Sequence, residues 1–124
     1  MIELQAVDIF ADMNAYIFAR DFVRERGYRL CLDGLSHLSV GLVDRAKLKL
    51  DLVKIVWSTD MLDDPSGQRH DELKRVAAAI GESRVILTRC DSADAVQRGE
   101  SFGIRMFQGR HIDTLVEKSK KILQ

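Results

Sequence analysis

Apolar and polar positions along the chain follow two alternating rhythms. Five short runs, Ile2–Leu4, Tyr28–Leu35, Leu52–Trp57, Arg84–Cys90 and Ile104–Gln108, are dense in apolar residues and bounded by turn formers, the pattern of buried strands. The segments between them carry helical spacing. Over about Asp8 to Glu25, Ala15, Phe18, Ala19 and Phe22 fall at i, i+3, i+4 and i+7, one apolar stripe, and Gly27 ends the helix. Leu73, Val76, Ala77 and Ile80 repeat that spacing before Gly81, and a third helix is predicted over Ser92–Phe102, closed by Gly103. In the last helix Ile112, Leu115, Val116, Ile122 and Leu123 share a face. Asp113 and Glu117 come early in it and Lys118, Lys120 and Lys121 late, as the helix dipole favours. A loop with a short helix around Val40–Ala46 follows the second strand; Thr59–Arg69, with Asp63, Asp64, Pro65 and Gly67, reads as an exposed loop.

Strands alternating with helices predict an α/β domain with a parallel sheet, spanning residues 1–124 as one unit. Leu52–Trp57 is apolar on both faces except at Lys54, as a strand covered on both sides would be. Five units are too few to close an eight-stranded barrel, so a doubly wound open sheet and a fragment of a barrel both satisfy the pattern.

Composition narrows the function classes. Hydrophobic residues make up 46% and charged ones 31%, and 19 Lys and Arg balance 19 Asp and Glu. Zero formal charge gives no general grip on a nucleic-acid polymer or an anionic membrane. No apolar run spans a bilayer, and no basic start with an apolar stretch marks a signal peptide. Cys31 and Cys90 lie within strands and read as reduced, buried small hydrophobes. A cytoplasmic setting is the expectation.

Polar residues at or near the strand ends are the candidates for chemistry: Glu3, Asp33, Lys54, Thr88 and Gln108. In parallel α/β folds ligands bind at the C-terminal ends of the strands. Lys54 stands out, because an ammonium in an apolar strand needs a carboxylate or a water-filled cavity. Asp33 is its expected partner, and a purely structural ion pair would explain both. Asp33 before Gly34 also suits a turn, Glu3 suits a solvated terminus, and Gln108-Gly109 suits strand-end punctuation. His37, His70 and His111 show no ligand spacing and read as solvated. Arg89 and Arg110 follow strands, where a phosphate is one possible partner and solvent the commoner one.

Five segments, in order, give a resemblance. Leu30-Cys31-Leu32-Asp33-Gly34-Leu35-Ser36 resembles the "ALDDFG" segment of the EAL family, bacterial phosphodiesterases for cyclic di-GMP. Counting without a gap, Leu50-Asp51-Leu52-Val53-Lys54-Ile55-Val56 is similar to the family's "VDYIKID", with the lysine at Lys54. Val85–Asp91 resembles "VIAEGVE", and Phe107-Gln108-Gly109 the late "QG"; upstream, Ile2-Glu3-Leu4-Gln5 resembles "ELTE". The similarity runs through the whole chain and corresponds to the C-terminal half to two-thirds of a family domain.

The resemblance implies a partial TIM-like barrel of about five strands with a site at the strand ends. There the family holds Mg²⁺ or Mn²⁺ and activates a water against a phosphodiester, a reaction that suits hard ions and oxygen ligands. By position, Glu3 and Asp33 match metal ligands, Lys54 the lysine that places the water, and Gln108 a binding glutamine. Gly34, Thr88 and Val56 stand where the family has acidic residues. Two carboxylates do not complete two cations that take roughly six oxygens each. The expectation is a catalytically inactive signalling domain, with no metal cofactor, that acts by protein interaction or self-association, or by holding cyclic di-GMP without turnover. The alternative is an active phosphodiesterase completed by an upstream segment or a second chain.

Overall fold

The computed structural model describes residues 1–42 and 48–123. Strands β1 (Ile2–Gln5), β2 (Leu30–Leu35), β3 (Leu52–Val56), β4 (Val85–Thr88) and β5 (Met106–Phe107) form one sheet. All four pairings are parallel and the order is β1-β2-β3-β4-β5. Helices α1 (Ala6–Ala11), α2 (Met13–Glu25), α3 (Gln68–Ile80), α4 (Ala93–Ser101) and α5 (Arg110–Leu123) interleave with them.

This order decides between the two architectures the pattern allowed. Crossovers that all step the same way, each right-handed, put the helices on one face. A doubly wound sheet would reverse direction and cover both faces. The core has that one-sided form. Leu30, Leu32, Leu35, Val53, Ile55, Val85 and Leu87 pack with Ile9, Tyr16, Leu73, Ala77, Ile80 and Ala95 of the helices. On the other face Cys31, Leu52, Ile86 and Met106 form a separate apolar cluster. The chain is an α/β arc of βα units, barrel-like in winding and open along both edges.

Several boundaries differ from the sequence reading. The helix expected over Asp8–Glu25 is two helices, broken at Asp12 (φ −147°, ψ 91°), whose carboxylate caps α2 by accepting from Ala15 N at 3.0 Å. Its apolar stripe does not face the core either. Tyr16 is the buried residue of α2 and Val23 packs partly beneath it, whereas Phe18 is 76% exposed and Phe22 48%. Tyr16 wins that position because its ring fills the core while its hydroxyl donates to the Leu48 carbonyl.

In α5 Ile112 packs on the core, whereas Leu115, Val116 and Ile122 are exposed; the Leu123 side chain lies outside what the structure describes. Strand β5 is two residues, not five, because Ile104 N turns back to the Gly99 carbonyl to close α4. Within Thr59–Arg69, Thr59–Leu62 forms a 3-10 turn that buries Met61, so this stretch is not wholly exposed. Val40–Leu42 is a 3-10 turn, and the remainder of the helix expected there lies outside the described residues. Ser92 caps α4 and Gly81 ends α3, as the sequence predicts. Cys31 and Cys90 are free and buried.

Candidate functional site

The open face is built by the two-residue period of the strands. Register places Glu3 beside Cys31, Gln5 beside Asp33, Cys31 beside Leu52, and Lys54 beside Ile86. Glu3, Cys31 and Leu52 share one level; Gln5 with Asp33, and Lys54 with Ile86 and Met106, stand one step further toward the strand C-termini, and Thr88 one step beyond Ile86.

Lys54 is the only buried charged residue among the described ones, 8% exposed. Its partner is Glu3 on β1, one strand beyond β2, and not the expected Asp33. The reason lies in β2. Leu32 pairs with Val53 but Leu35 pairs with Ile55, so β2 carries one extra residue across Asp33–Gly34. Gly34 takes φ +82° there, a left-handed value that suits glycine. The bulge turns the Asp33 carboxylate onto its own chain: Oδ1 accepts from Gly34 N at 2.7 Å and Oδ2 from Gln5 Nε2 at 3.4 Å. The ammonium is left to reach Glu3, and the hydrogen bond it donates there raises its pKa against the opposing effect of burial. Beneath it, burial pushes the Cys31 thiol up to about 11, which makes it inert as a nucleophile.

The remaining candidates are spread out. Thr88 is half-buried and its hydroxyl donates to the Ile55 carbonyl at 3.3 Å. Gln108 is exposed; its backbone N–H donates to Leu87 O, and its carbonyl accepts from Cys90 N. Gly109 has a steric reason to follow it, since a Cβ there would lie 2.3 Å from Cys90 N. Asp91 accepts from Arg110 N at 3.0 Å and fixes the start of α5, so this acidic residue has a structural task. Arg89 is exposed, with φ +58°.

The structure thus brings Glu3, Asp33 and Lys54 to one region and leaves Gln108 apart. Sequence reasoning missed Gln5. Its signal was period two, the same face as Glu3.

The family's metals do not fit this donor set. Glu3 is held by an ammonium and Asp33 by an amide and a backbone N–H. Among the described residues no three His, Cys, Asp or Glu side chains are grouped to hold an ion.

Two further features lie away from this face. His37, expected to be solvated, has both ring nitrogens buried without a partner among the described residues. It borders a cleft of about 80 Å³ with Arg69, Glu72 and Leu73. His70 is likewise partly enclosed, its ring tilted against that of Phe102 and hydrogen-bonded to Ser101 Oγ at 3.0 Å. A cleft of about 370 Å³ is lined by Glu100, Gly103, Ile104, Arg105 and Phe107. Neither Glu3 nor Asp33 lines it. No family model, no curated protein and no solved structure matches this chain.

Proposed function

We propose that this chain is a cytoplasmic, EAL-like signalling domain that has lost phosphodiesterase chemistry and acts by binding, either to a protein or to cyclic di-GMP without turnover. One observation carries the reading: the Glu3 carboxylate is engaged by Lys54. In the proposed relationship these two side chains would serve a metal and an attacking water. Paired with each other they neutralise, and neither is left to do that work. The Asp33–Gly34 bulge and Thr88 support the same reading, since both put a non-acidic group or an occupied carboxylate where hard-ion ligands are needed. Lysine at Lys54 also supplies the positive charge that a divalent ion would otherwise provide beside Glu3.

No helix among the described residues is long and apolar enough to cross a membrane, which accords with a domain that meets its partners in solution. The test is calorimetry and a hydrolysis assay with cyclic di-GMP, each run with and without Mg²⁺. The expected result is no product under either condition, and any binding heat unchanged by Mg²⁺. Hydrolysis that requires Mg²⁺, by pure protein, overturns the proposal.

A further inference from the structure

Exposed large apolar side chains on the helices sit at the two ends of the arc, on α1, α2 and α5, while the inner helices α3 and α4 expose none. On α2 these side chains diverge, Met13 standing about 180° around the axis from Phe22. On α5 they converge. At about 100° per residue, Ile112, Leu115, Val116, Ser119 and Ile122 fall within an arc of about 120°. Ile112 packs on the core, but Leu115 is 43% exposed, Val116 47% and Ile122 83%. Ser119 does not interrupt the stripe, because its hydroxyl donates to the Leu115 carbonyl at 3.0 Å. The fold explains this free face. Helix α5 follows β5, the outermost strand, so among the described residues no strand lies beyond it to take the rest of the face.

We infer that this face is the contact surface of a weak homodimer, in which two copies of α5 pack antiparallel about a two-fold axis beside Val116. Charge at the border of the face selects a second copy as the occupant. Asp113 and Lys120 are exposed and stand on one border, about 20° apart in projection. Lys120 is 3.6 Å from Glu117, but both side chains are about two-thirds exposed and such a pair exchanges readily. Antiparallel packing about a two-fold axis brings the same border of each helix together. Asp113 then meets the partner's Lys120, and the pair recurs on the far side of the axis, the self-complementarity an isologous contact requires.

The opposite border carries His111 and Lys118 and no acid. Parallel packing would therefore set Lys120 against cations. A negatively charged lipid surface would meet Asp113 as well as the lysines.

Pairing Asp113 with Lys120 also fixes the register. The axis falls between Val116 and Glu117. Val116 then lies beside its own copy, Leu115 faces the small Ser119, and Ile112 comes within about one residue of the partner's Ile122. One face of a 14-residue helix is smaller than the roughly 800 Å² per partner of a standard interface, which puts the dimer in the weak class.

The inference concerns self-association alone and stands whether or not the chain binds nucleotide. Light scattering of the whole chain over about 10 µM to 1 mM is expected to give a mass rising from 14.1 kDa toward twice that value. Ile122→Glu should weaken association by about tenfold or more, with circular dichroism unchanged, since it puts an unpaired carboxylate into the contact. Asp113→Lys and Lys120→Glu should each weaken it about tenfold, and the two together should restore it, because the swap rebuilds both pairs.

Register is read by cross-linking under mild oxidation. Val116→Cys should form a disulfide-linked dimer and Thr114→Cys, on the back of the helix, should not; the native thiols are buried and will not compete. A wild-type chain that stays monomeric across the range overturns the inference. So does a dimer indifferent to Ile122→Glu, a swapped chain that keeps its helix content yet associates no better than the single variants, or cross-linking through Thr114→Cys and not Val116→Cys. Where the swap costs helix content, the cross-linking result decides. Co-flotation of a still monomeric chain with phosphatidylserine vesicles overturns it too and assigns the face to a lipid surface.

Discussion

On the helix-covered side of the sheet, Leu30, Leu32, Leu35, Val53, Ile55, Val85 and Leu87 are each fully buried against the helices. One residue away on the same strands, the opposite side presents the apolar Cys31, Leu52 and Ile86 interleaved with Glu3, Asp33, Lys54 and Thr88. The first side excludes water with two layers of protein and is wholly apolar. The second has one layer and tolerates charge. Stability belongs to the side where atoms are contacted from both directions. Polar chemistry survives on the other, where an ammonium can remain near water while its stem is buried.

The largest test of that contrast is a pair of neighbours. Leu32→Ala should cost about 2 to 5 kcal/mol, since it removes methyl groups from a two-sided core that cannot collapse around the void. Cys31→Ala, one position earlier, should cost about 1 kcal/mol. Urea midpoints of the two variants measure the ratio. Equal costs would mean that the open face is packed as tightly as the covered one, and the contrast would be lost.

Alkaline titration probes each side through one thiol. Burial holds Cys31 on the open face and Cys90 in the helix-side core at about 11, against 9.0 in the unfolded chain. A raised acid pKa means that the folded state keeps a proton the unfolded state gives up. The associated stability is therefore fully present below pH 9.0 and is lost as pH climbs toward about 11, by about 2 to 3 kcal/mol per thiol. Lys54 adds to the same trend higher up. Its folded pKa is raised, so its contribution holds below 10.5 and disappears as pH passes through the folded value. Chemical denaturation between pH 8 and 11 should show a steady fall, and Cys31→Ala should flatten it more than it lowers stability at pH 7. An unchanged pH slope in that variant would show that the open-face thiol titrates as if solvated.

A smaller effect is expected from the ion pair. Glu3→Gln strands the Lys54 ammonium, but the Glu3 side chain is 44% exposed, so water softens the loss to about 1 to 2 kcal/mol, well under that of a fully buried pair. Lys54→Met keeps the stem and removes the charge together with its desolvation cost; it should fall within about 1 kcal/mol of the parent. In the double variant the Glu3→Gln penalty should vanish, a coupling that thermal denaturation of all four proteins can read. Additive penalties would mean that Glu3 and Lys54 do not act as a pair.

How far all this was legible in the sequence depends on which physical signal carried it. The five strands and their helices were readable because burial on a parallel sheet imposes continuous apolar runs and Gly or Ser marks the ends, as at Ser92 and Gly81. Helix orientation was not. In α2 two overlapping stripes have the same spacing, and only the tertiary position of the Leu48 carbonyl selects Tyr16 over Phe18. The Lys54 partner was unreadable for a related reason. An alternating pattern assigns Asp33 and Lys54 to one face, but the bulge that redirects Asp33 is a register event between strands, announced only by Gly34. Burial of the His37 nitrogens likewise depends on residues distant in sequence, Arg69 and Glu72 among those bordering the cleft. Strand order, which excluded the doubly wound sheet, has no local signature at all.

The smallest expected effect belongs to Gln108, and it sharpens the contrast because it separates stability from binding. Its side chain is exposed at the end of β5, and its backbone bonds to Leu87 and Cys90 survive any substitution except proline. Gln108→Ala should therefore change the urea midpoint by less than about 0.5 kcal/mol equivalent. Any loss of cyclic di-GMP binding heat in that variant is then a loss of contact with ligand and not of fold. A destabilisation as large as that of Leu32→Ala would place the strand ends in the same energetic class as the covered face, and the division of labour between the two sides of the sheet would fail at its outermost residue.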